Sequence, residues 1–307
     1  MQRKDFGLEG KVAVITGSGQ GLGRAIAISL ANEGVKVVTN SRRPGTSGGD
    51  AETTAEAIRA SGNEAVAVFA DVSNYDDVKR LIGSAVDQFS SVDILINNAG
   101  VDAPKMIWNM EEDEWDRCLS ATLKGSFNCS RFASVMMREK KWGRIINTTS
   151  TAWLGTVGHV NYGAAKAGII GLTRAIAREL GRYGVTCNAF TPLAATRMTD
   201  NQKVKDGLKK RFESGLITAE QYETATHMPP AEGVAPMIVY LASEKAANIN
   251  GQVFHIEAGK IGYYSEPSLI STTYRDYAQH GYFDLESLDR LVPAILSGVY
   301  ENPSPPK

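Results

Sequence analysis

The chain has 307 residues, of which 43% are hydrophobic and 22% charged, and its formal net charge is −1. This length allows one large domain or two small ones with an apolar core, while the nearly balanced charge gives no electrostatic basis for binding nucleic acid. The sequence has no run of about 20 apolar residues that could span a bilayer, so we expect a small-molecule partner and no membrane span.

Short apolar, β-branched segments alternate with longer amphipathic segments over the first 190 residues. The apolar segments predict strands buried on both faces, and the amphipathic segments predict helices that cover them. We therefore expect an α/β fold of the Rossmann type, with a doubly wound parallel sheet of about seven strands and helices on both faces. The predicted strands are 12–16, 35–39, 64–70, 93–97, 143–147, 184–190 and 251–257, and the predicted helices are 21–33, 51–61, 75–89, 112–139, 161–182 and 231–243.

The character of the sequence changes after Pro192. Residues 197–230 are polar and predict a lid inserted before the last helix and strand of the sheet. The final segment, 261–307, is rich in aromatic residues, and its pattern predicts a helix that ends at Pro293. We expect one main domain over 1–260 and a C-terminal arm that packs on this core or on a neighbouring subunit.

The cysteine and histidine patterns argue against disulfides and metal sites. The chain has 3 cysteines at unrelated spacings, which does not predict a disulfide framework and favours a reducing compartment. Its 4 histidines lie far apart in the sequence, and none has the spacing of a zinc ligand pair. The N-terminus lacks the apolar stretch of a secretory signal, and we expect a cytoplasmic protein without a metal.

A glycine-rich turn, TGSGQGLG at 16–23, follows the first predicted strand and opens the first predicted helix. The free N–H groups and the dipole of a helix N-terminus form a site for a pyrophosphate. Glycine lets the backbone turn sharply and approach a phosphate closely. This strand–turn–helix context indicates dinucleotide binding, and the predicted contacts are Gly17, Gln20, Gly21, Leu22 and Gly23.

A tyrosine and a lysine are spaced for chemistry on one helix face. Tyr162 and Lys166 are four residues apart in the predicted helix 161–182, so their side chains share a face. An ammonium group beside a phenol favours the phenolate and lowers the phenol's pKa. Such a tyrosine is suited to proton transfer near neutral pH, although the same spacing also occurs in ordinary amphipathic helices.

Together these motifs resemble those of the short-chain dehydrogenase/reductase family over about residues 8–258. The resemblance includes the TGxxxGxG turn, NNAG at 97–100, the Tyr162–Lys166 spacing and a hydroxyl cluster thirteen residues before the tyrosine. It implies an oxidoreductase that transfers a hydride between a nicotinamide and a carbinol carbon. Tyr162 is then the general acid or base, and Lys166 also binds the nicotinamide ribose. The family also implies a homodimer or homotetramer built on the helices 112–139 and 161–182.

The resemblance extends to the remaining cofactor contacts. Residues after the third and fourth strands are expected beside the adenosine and ribose, and a hydroxyl after the sixth strand beside the pyrophosphate or carboxamide. The residues at these positions are Asp71, Val72, Asn98, Ala99, Gly100 and Thr196.

The end of the second strand indicates which nicotinamide is bound. Ser41 stands where dinucleotide folds that use NAD carry an acidic residue for the ribose 2′-hydroxyl, and Arg42 and Arg43 follow it. A guanidinium beside a hydroxyl suits a 2′-phosphate, because its planar fork forms charge-assisted hydrogen bonds. We therefore predict NADP(H) rather than NAD(H), while a solvated turn with two arginines remains the alternative.

Three positions depart from the family pattern. Thr149 stands where the family usually has serine, and Ser150 follows it; because neighbouring strand residues point to opposite faces, only one can contact the substrate. The spacing to the glycines at 155 and 158 favours Thr149. Thr122 replaces an asparagine of a water-linked proton relay, and Leu193 replaces a glycine after Pro192.

Within the family, the subgroup of closest resemblance is the (3R)-hydroxyacyl-CoA dehydrogenase domains of peroxisomal multifunctional enzymes. The shared segments are the loop around Thr196, VAPMIVYLASE at 234–244 and NGQVFHIEAGKIG at 250–262. This implies NADP(H)-dependent interconversion of a secondary alcohol and a ketone on an apolar or acyl-thioester substrate. Two alternatives stay open: a 3-hydroxyacyl-CoA dehydrogenase or 3-oxoacyl reductase proper, and a cofactor-binding subunit with weak or no catalysis.

Overall fold

A single mixed sheet organises the described part of the chain. The computed structural model describes residues 5–196 and 202–298, so the start of the predicted lid (197–201) and the end of the arm (299–307) lie outside the described residues. The strands are β1 (Val12–Ile15), β2 (Lys36–Ser41), β3 (Ala65–Phe69), β4 (Ile94–Asn97), β5 (Gly143–Thr148), β6 (Val185–Pro192), β7 (Val253–Glu257) and β8 (Lys260–Tyr263).

The strand order places two loops at one crevice. The sheet runs β3-β2-β1-β4-β5-β6-β7-β8, and the first seven strands pair in parallel. The chain turns from β1 toward β2 on one side and returns to β4 on the other, so the switch point lies between β1 and β4. Ligands of doubly wound sheets bind beyond the carboxyl ends of the strands at such a point. The predicted Rossmann-type α/β fold is confirmed.

The eighth strand was not predicted. β8 pairs antiparallel with β7, with Glu257 opposite Lys260, so Ala258 and Gly259 form a two-residue turn. Gly259 has φ +82°, a conformation that glycine adopts without strain. β8 is an exposed edge strand, and it therefore lacks the continuous apolar pattern that identified the buried strands.

Helices cover both faces of the sheet. Alternate residues of β1 face opposite sides, Ile15 toward one apolar cluster and Val14 toward the other. The predicted helix 112–139 is interrupted by a π-helical turn, Ser120–Lys124. The helices of this unit are α1 (Gly21–Ala31), α2 (Ala51–Ala60), α3 (Tyr75–Phe89), α4 (Glu112–Leu119), α5 (Gly125–Lys140), α6 (Val160–Leu180), α7 (Gln202–Glu213), α8 (Ala219–Thr226) and α9 (Ala235–Ala242).

The chain divides into two compact units between Tyr264 and Ser265. Within the second unit lie α10 (Tyr277–His280) and α11 (Leu285–Leu296). Arg275 joins them, since its guanidinium donates to the carbonyl of His280 at 2.9 Å and to the hydroxyl of Ser287 at 3.3 Å. α11 continues through Pro293, where the sequence predicts its end. The predicted packing of this arm stays a prediction.

The three cysteines are free and buried. No helix in the described ranges is both long and apolar enough to cross a membrane. Among the same residues, no group of three or more His, Cys, Asp or Glu side chains is placed to hold a metal ion.

Candidate active site

The glycine-rich turn lies at the switch point, between the end of β1 and the start of α1. Gly17 and Gly21 have φ values of +63° and +53°, which explains the requirement for glycine at both positions. A Cβ on Gly23 would lie 2.5 Å from the carbonyl oxygen of Gly17, so the turn closes tightly on the helix. Gln20 precedes α1, and its side chain makes no capping hydrogen bond to the N-terminal N–H groups of the helix. These N–H groups are therefore suited to an anion.

The predicted residues Asn98 and Ala99 brace this turn. The Asn98 side-chain amide donates to the carbonyl oxygens of Thr16 at 3.0 Å and Gly17 at 3.1 Å. In return, the Thr16 hydroxyl accepts from the backbone N–H groups of Asn98 and Ala99, each at 3.0 Å. The loop after β4 and the glycine turn are thus locked together, which fixes both sides of the crevice.

A second brace comes from Asn40, which the sequence analysis did not single out. Its amide donates to the carbonyl oxygens of Val68 and Ala70, each at 3.1 Å, while its Oδ1 accepts from the N–H of Gly17 at 3.3 Å. Asn40 is fully buried. In the sequence, Asn40 stands out only as a polar residue within an otherwise apolar strand.

The end of β2 carries the residues predicted to select NADP(H). The Ser41 hydroxyl accepts from the backbone N–H of Ala51 at 3.0 Å, at the start of α2. The side chains of Arg42 and Arg43 are exposed. The end of this strand therefore presents a hydroxyl and two cations.

An acidic residue follows in the same loop, but its charge is turned inward. Asp50 accepts from the N–H groups of Thr53 at 3.0 Å and Gly45 at 2.7 Å, and these hydrogen bonds hold its pKa below the usual range. A Cβ on Gly19 would lie 2.7 Å from the Asp50 Cα, so this loop packs directly on the glycine turn.

Three further predicted cofactor residues lie around the same crevice. Asp71 accepts hydrogen bonds from the backbone N–H and the hydroxyl of Ser73, at 2.9 and 2.7 Å. Val72 is buried against α5, where a Cβ on Gly125 would lie 2.7 Å from its Cγ2. Thr196 approaches from the loop after β6, because a Cβ on Gly21 would lie 3.5 Å from the Thr196 Cβ. Of these residues, Thr196 is the one that approaches the glycine turn directly.

Tyr162 and Lys166 lie on α6, as predicted. The Lys166 Nζ lies 5.4 Å from the Tyr162 ring centroid and donates to the carbonyl oxygen of Thr148 at 2.6 Å. Burial lowers the pKa of Lys166 to about 8. Burial also raises the pKa of Tyr162 above its usual value, the charges of Asp102 and Cys118 add to this effect, and a hydrogen bond with Ser150 opposes it. The expectation that Lys166 lowers the pKa of Tyr162 is therefore corrected, because burial dominates in this site.

The two candidate hydroxyls have different partners. The Thr149 hydroxyl is buried and donates to the backbone carbonyl of Lys166 at 2.9 Å. The Ser150 hydroxyl instead accepts from the backbone N–H of Ala152 at 3.3 Å and lies close enough to Tyr162 to lower the pKa of the phenol. This geometry revises the expectation that Thr149 rather than Ser150 contacts the substrate, since the Thr149 hydroxyl is directed into the protein.

Thr122 lies in the π-helical turn between α4 and α5. Its hydroxyl is buried and both accepts from the N–H of Val101 at 3.3 Å and donates to the Val101 carbonyl at 3.4 Å. A Cβ on Gly100 would lie 3.2 Å from the Thr122 Oγ1 and 3.8 Å from the Lys166 Nζ. The three predicted residues are thus close together, and Thr122 anchors the loop after β4 beside the lysine.

A contact between Asp102 and His159, which no sequence motif indicates, also belongs to the site. The carboxylate of Asp102 lies 3.2 Å from the Nε2 of His159, three residues before Tyr162. The two residues are far apart in the sequence, and only the position of Asp102 two residues after the NNAG motif could have suggested its proximity to the site.

An aromatic pair forms one apolar surface near these residues. Trp153 follows Ser150 in a short 3-10 turn and packs edge-on against Tyr264, with ring centroids 5.2 Å apart. Behind them lie the buried side chains of Ile170, Ala189 and Val253.

Several known proteins are similar to this chain in sequence or in structure. A family model described as short chain dehydrogenase matches residues 11–207. A 3-oxoacyl-[acyl-carrier-protein] reductase of Synechocystis sp. is 38% identical over 257 residues, 83% of this chain and 98% of that protein. A hydroxyacyl-CoA dehydrogenase of Mycobacterium tuberculosis is 39% identical over 272 residues, 85% of this chain and 82% of the relative. The crystal structure of a short chain dehydrogenase from Mycobacterium avium has a TM-score of 0.80 and 37% identity, and the match covers 97% of this chain and 98% of that one.

Proposed function

The chain belongs to the short-chain dehydrogenase family, and we propose that this oxidoreductase interconverts a 3-oxoacyl thioester and its 3-hydroxyacyl form with NADP(H). The family resemblance inferred from the motifs is confirmed, and oxidoreductase chemistry follows from it. The observation that carries the proposal is the cluster of Ser150, Tyr162 and Lys166, which the loop after β4 connects to the glycine turn. The substrate class is suggested by the names of the relatives.

The residues present fit an NADP(H) molecule. The N-terminus of α1 has N–H groups suited to the pyrophosphate, and Thr196 lies against the same turn. Ser41 and Arg42 would bind the 2′-phosphate at the end of β2, while the Asp50 carboxylate of the same loop is held by the N–H groups of Thr53 and Gly45. When bound, the nicotinamide supplies the hydride for ketone reduction or accepts it in alcohol oxidation.

The side chains of this protein carry out the proton-transfer step of the reaction. In reduction, Tyr162 donates its phenolic proton to the substrate oxygen as negative charge develops there. Ser150 donates a hydrogen bond to the same oxygen and stabilises that charge. Because burial raises the pKa of Tyr162, the phenol is protonated at neutral pH and is ready to act as an acid. Lys166, with a pKa of about 8, is mainly cationic at pH 7 and would bind the nicotinamide ribose.

The surroundings of the site suit an apolar acyl group. Trp153 and Tyr264 form an aromatic surface close to Ser150. Ile107 and Trp108 are both well exposed. They follow Lys105, whose backbone N–H donates to the carbonyl of Gly158 in the loop before α6. Pockets for small ligands are lined mainly by such apolar side chains.

Turnover of NADPH with matched substrates tests the proposal. We expect oxidation of NADPH with 3-oxoacyl thioesters of medium chain length, and slower oxidation with simple ketones that lack the thioester. Binding of NADPH without turnover of any substrate would instead support a cofactor-binding subunit. The Ser150–Tyr162 contact favours the enzyme, because it supplies the acid and the second hydrogen-bond donor that the reaction needs.

We also propose a homodimer or homotetramer that forms through α5 and α6, in a cytoplasmic setting. Phe127 and Val135 on α5 and Val160 on α6 are exposed apolar side chains on these helices. Sedimentation equilibrium of the full chain tests the oligomer, and a monomer at micromolar concentration would contradict it.

A further inference from the structure

The imidazole of His159 faces two oxygen acceptors. Its Nε2 lies 3.2 Å from the Oδ2 of Asp102, and its Nδ1 lies 3.1 Å from the carbonyl oxygen of Val157. A neutral imidazole can donate from only one nitrogen, so one of these contacts would then place a lone pair against an acceptor. The imidazolium satisfies both contacts, and the geometry therefore favours the charged ring.

Asp102 connects this pair to the reacting phenol. The side chains of Asp102 and His159 are mostly buried, with 24% and 14% of their surface exposed. The Oδ1 of Asp102 is buried and has no hydrogen-bond partner in the described part of the chain. The charge of Asp102 raises the pKa of Tyr162, because a nearby carboxylate disfavours the phenolate.

We propose that His159 is a positioning residue whose imidazolium neutralises Asp102 and so keeps Tyr162 an effective proton donor. The inference rests on the proposed oxidoreductase function, because it assigns the pair a role through Tyr162. When His159 loses its proton, Asp102 loses its ion-pair partner and its negative charge acts more strongly on the phenol. A phenol near a less neutralised carboxylate has a higher pKa and is a weaker acid, so reduction slows.

The groups around the pair set the pH at which this happens. Burial lowers the pKa of His159, but the hydrogen bond and charge of Asp102 outweigh it, and the net shift is upward from 6.5. His159 therefore keeps its proton to a higher pH than a free histidine does. The other charged or titratable groups that act on the pair are Arg211 on α7, Cys118 on α4, and Tyr162 and Lys166 on α6. The backbone of Lys105 bridges to that of His159, but its ammonium forms an ion pair with Glu114 at 2.8 Å.

The test compares reduction by wild type and by His159→Gln from pH 6 to pH 9.5. We expect kcat/KM of the variant to be lower by about three- to tenfold at pH 6, where only wild type carries the imidazolium. The two profiles should converge above the pKa of His159, because wild type then also lacks the charge. A ratio that does not change with pH would overturn the proposal, since that is the result of a purely structural role.

Two further variants separate charge from shape. In the double variant Asp102→Asn with His159→Gln, the carboxylate that needs neutralising is absent, and we expect most of the activity lost in His159→Gln to return. Additive losses would overturn the proposal. His227 provides a matched control, because it lies 3.2 Å from Glu223 in an exposed pair, and His227→Gln should leave the pH profile unchanged.

A titration of His159 that does not require enzyme turnover tests the His159–Asp102 pair separately from the proposed oxidoreductase function. The imidazole of His159 is followed by NMR in the full chain with labelled histidine, its signal assigned by its loss in His159→Gln. We expect a pKa above that of free histidine in wild type and a lower pKa in Asp102→Asn. An equal pKa in both proteins would overturn the ion pair, whereas a shifted pKa in a protein that reduces no substrate would refute the proposed function alone.

Discussion

The hydroxyl of Thr149 donates a 2.9 Å hydrogen bond to the backbone carbonyl of Lys166. The Lys166 ammonium in turn donates to the carbonyl oxygen of Thr148, at 2.6 Å. These two contacts tie the end of β5 to the catalytic face of α6 in both directions. The distance between Ser150 and Tyr162 is therefore set by the packing of these two elements.

Replacing Thr149 should affect stability more than chemistry. In Thr149→Val the hydrogen bond to Lys166 is lost, and we expect the free energy of unfolding to fall by about 1 kcal/mol. Thr149→Ser keeps the hydroxyl and is the matched control. Urea unfolding measures the difference, and kcat should change by less than tenfold. A loss of kcat as large as that caused by Ser150→Ala would restore Thr149 as the substrate contact.

Cofactor choice should depend on the end of β2. In Arg42→Ala we expect KM for NADPH to rise by about tenfold or more, because a charge-assisted hydrogen bond to the 2′-phosphate is lost, while KM for NADH stays unchanged. Ser41→Asp should reverse the preference toward NADH, since a carboxylate repels the phosphate and binds the ribose 2′-hydroxyl. Equal changes for both cofactors would refute the NADP(H) assignment.

The buried charge of Lys166 should destabilise the fold in a pH-dependent way. Burial lowers its pKa to about 8, so the folded protein releases this proton before the unfolded chain, whose lysines titrate near pH ~10.4. The destabilisation is therefore fully present below pH 8 and is relieved as the pH rises toward 10. Relative to Lys166→Met, the wild type should gain up to about 3 kcal/mol between pH 7 and pH 10. A difference between the two proteins that stays constant with pH would contradict this expectation.

Removal of the C-terminal arm should impair the enzyme if the arm packs on the core or a neighbouring subunit. Deleting 265–307 leaves β8 and the contact between Tyr264 and Trp153 in place. We expect a smaller oligomer, aggregation or a loss of activity. The milder variant Leu288→Ser with Val292→Ser replaces two partly exposed apolar side chains of α11, four residues apart, and should give the same defect in weaker form. A deletion variant with wild-type size and activity would show that the arm is dispensable.

Local patterns predicted most of the sheet and the Tyr162–Lys166 pair. Buried parallel strands and a four-residue helical spacing are short-range signals that do not depend on distant segments. The inward direction of the Thr149 hydroxyl, contrary to the expectation from strand alternation, has a local cause. β5 ends at Thr148, so the alternation of a strand no longer orients the two residues that follow it.

Long-range contacts account for what could not be predicted. Asp102 meets His159 only because the loop after β4 and the start of α6 lie side by side, and Lys105 donates from its backbone to Gly158 at 2.8 Å. The upward shift in the pKa of Tyr162 depends on burial, which a helical spacing does not reveal. The edge strand β8 has an exposed, weakly patterned sequence and was missed for that reason.

Substitution of the proton donor tests the central claim most directly. In Tyr162→Phe the ring remains and only the hydroxyl is lost. We expect NADPH to bind with unchanged affinity, as measured by fluorescence titration, and the rate of 3-oxoacyl thioester reduction to fall by at least about 10²-fold. Ser150→Ala should reduce kcat by a similar factor without changing cofactor affinity. Full activity of Tyr162→Phe with any substrate that wild type reduces would contradict the assignment of this residue as the acid.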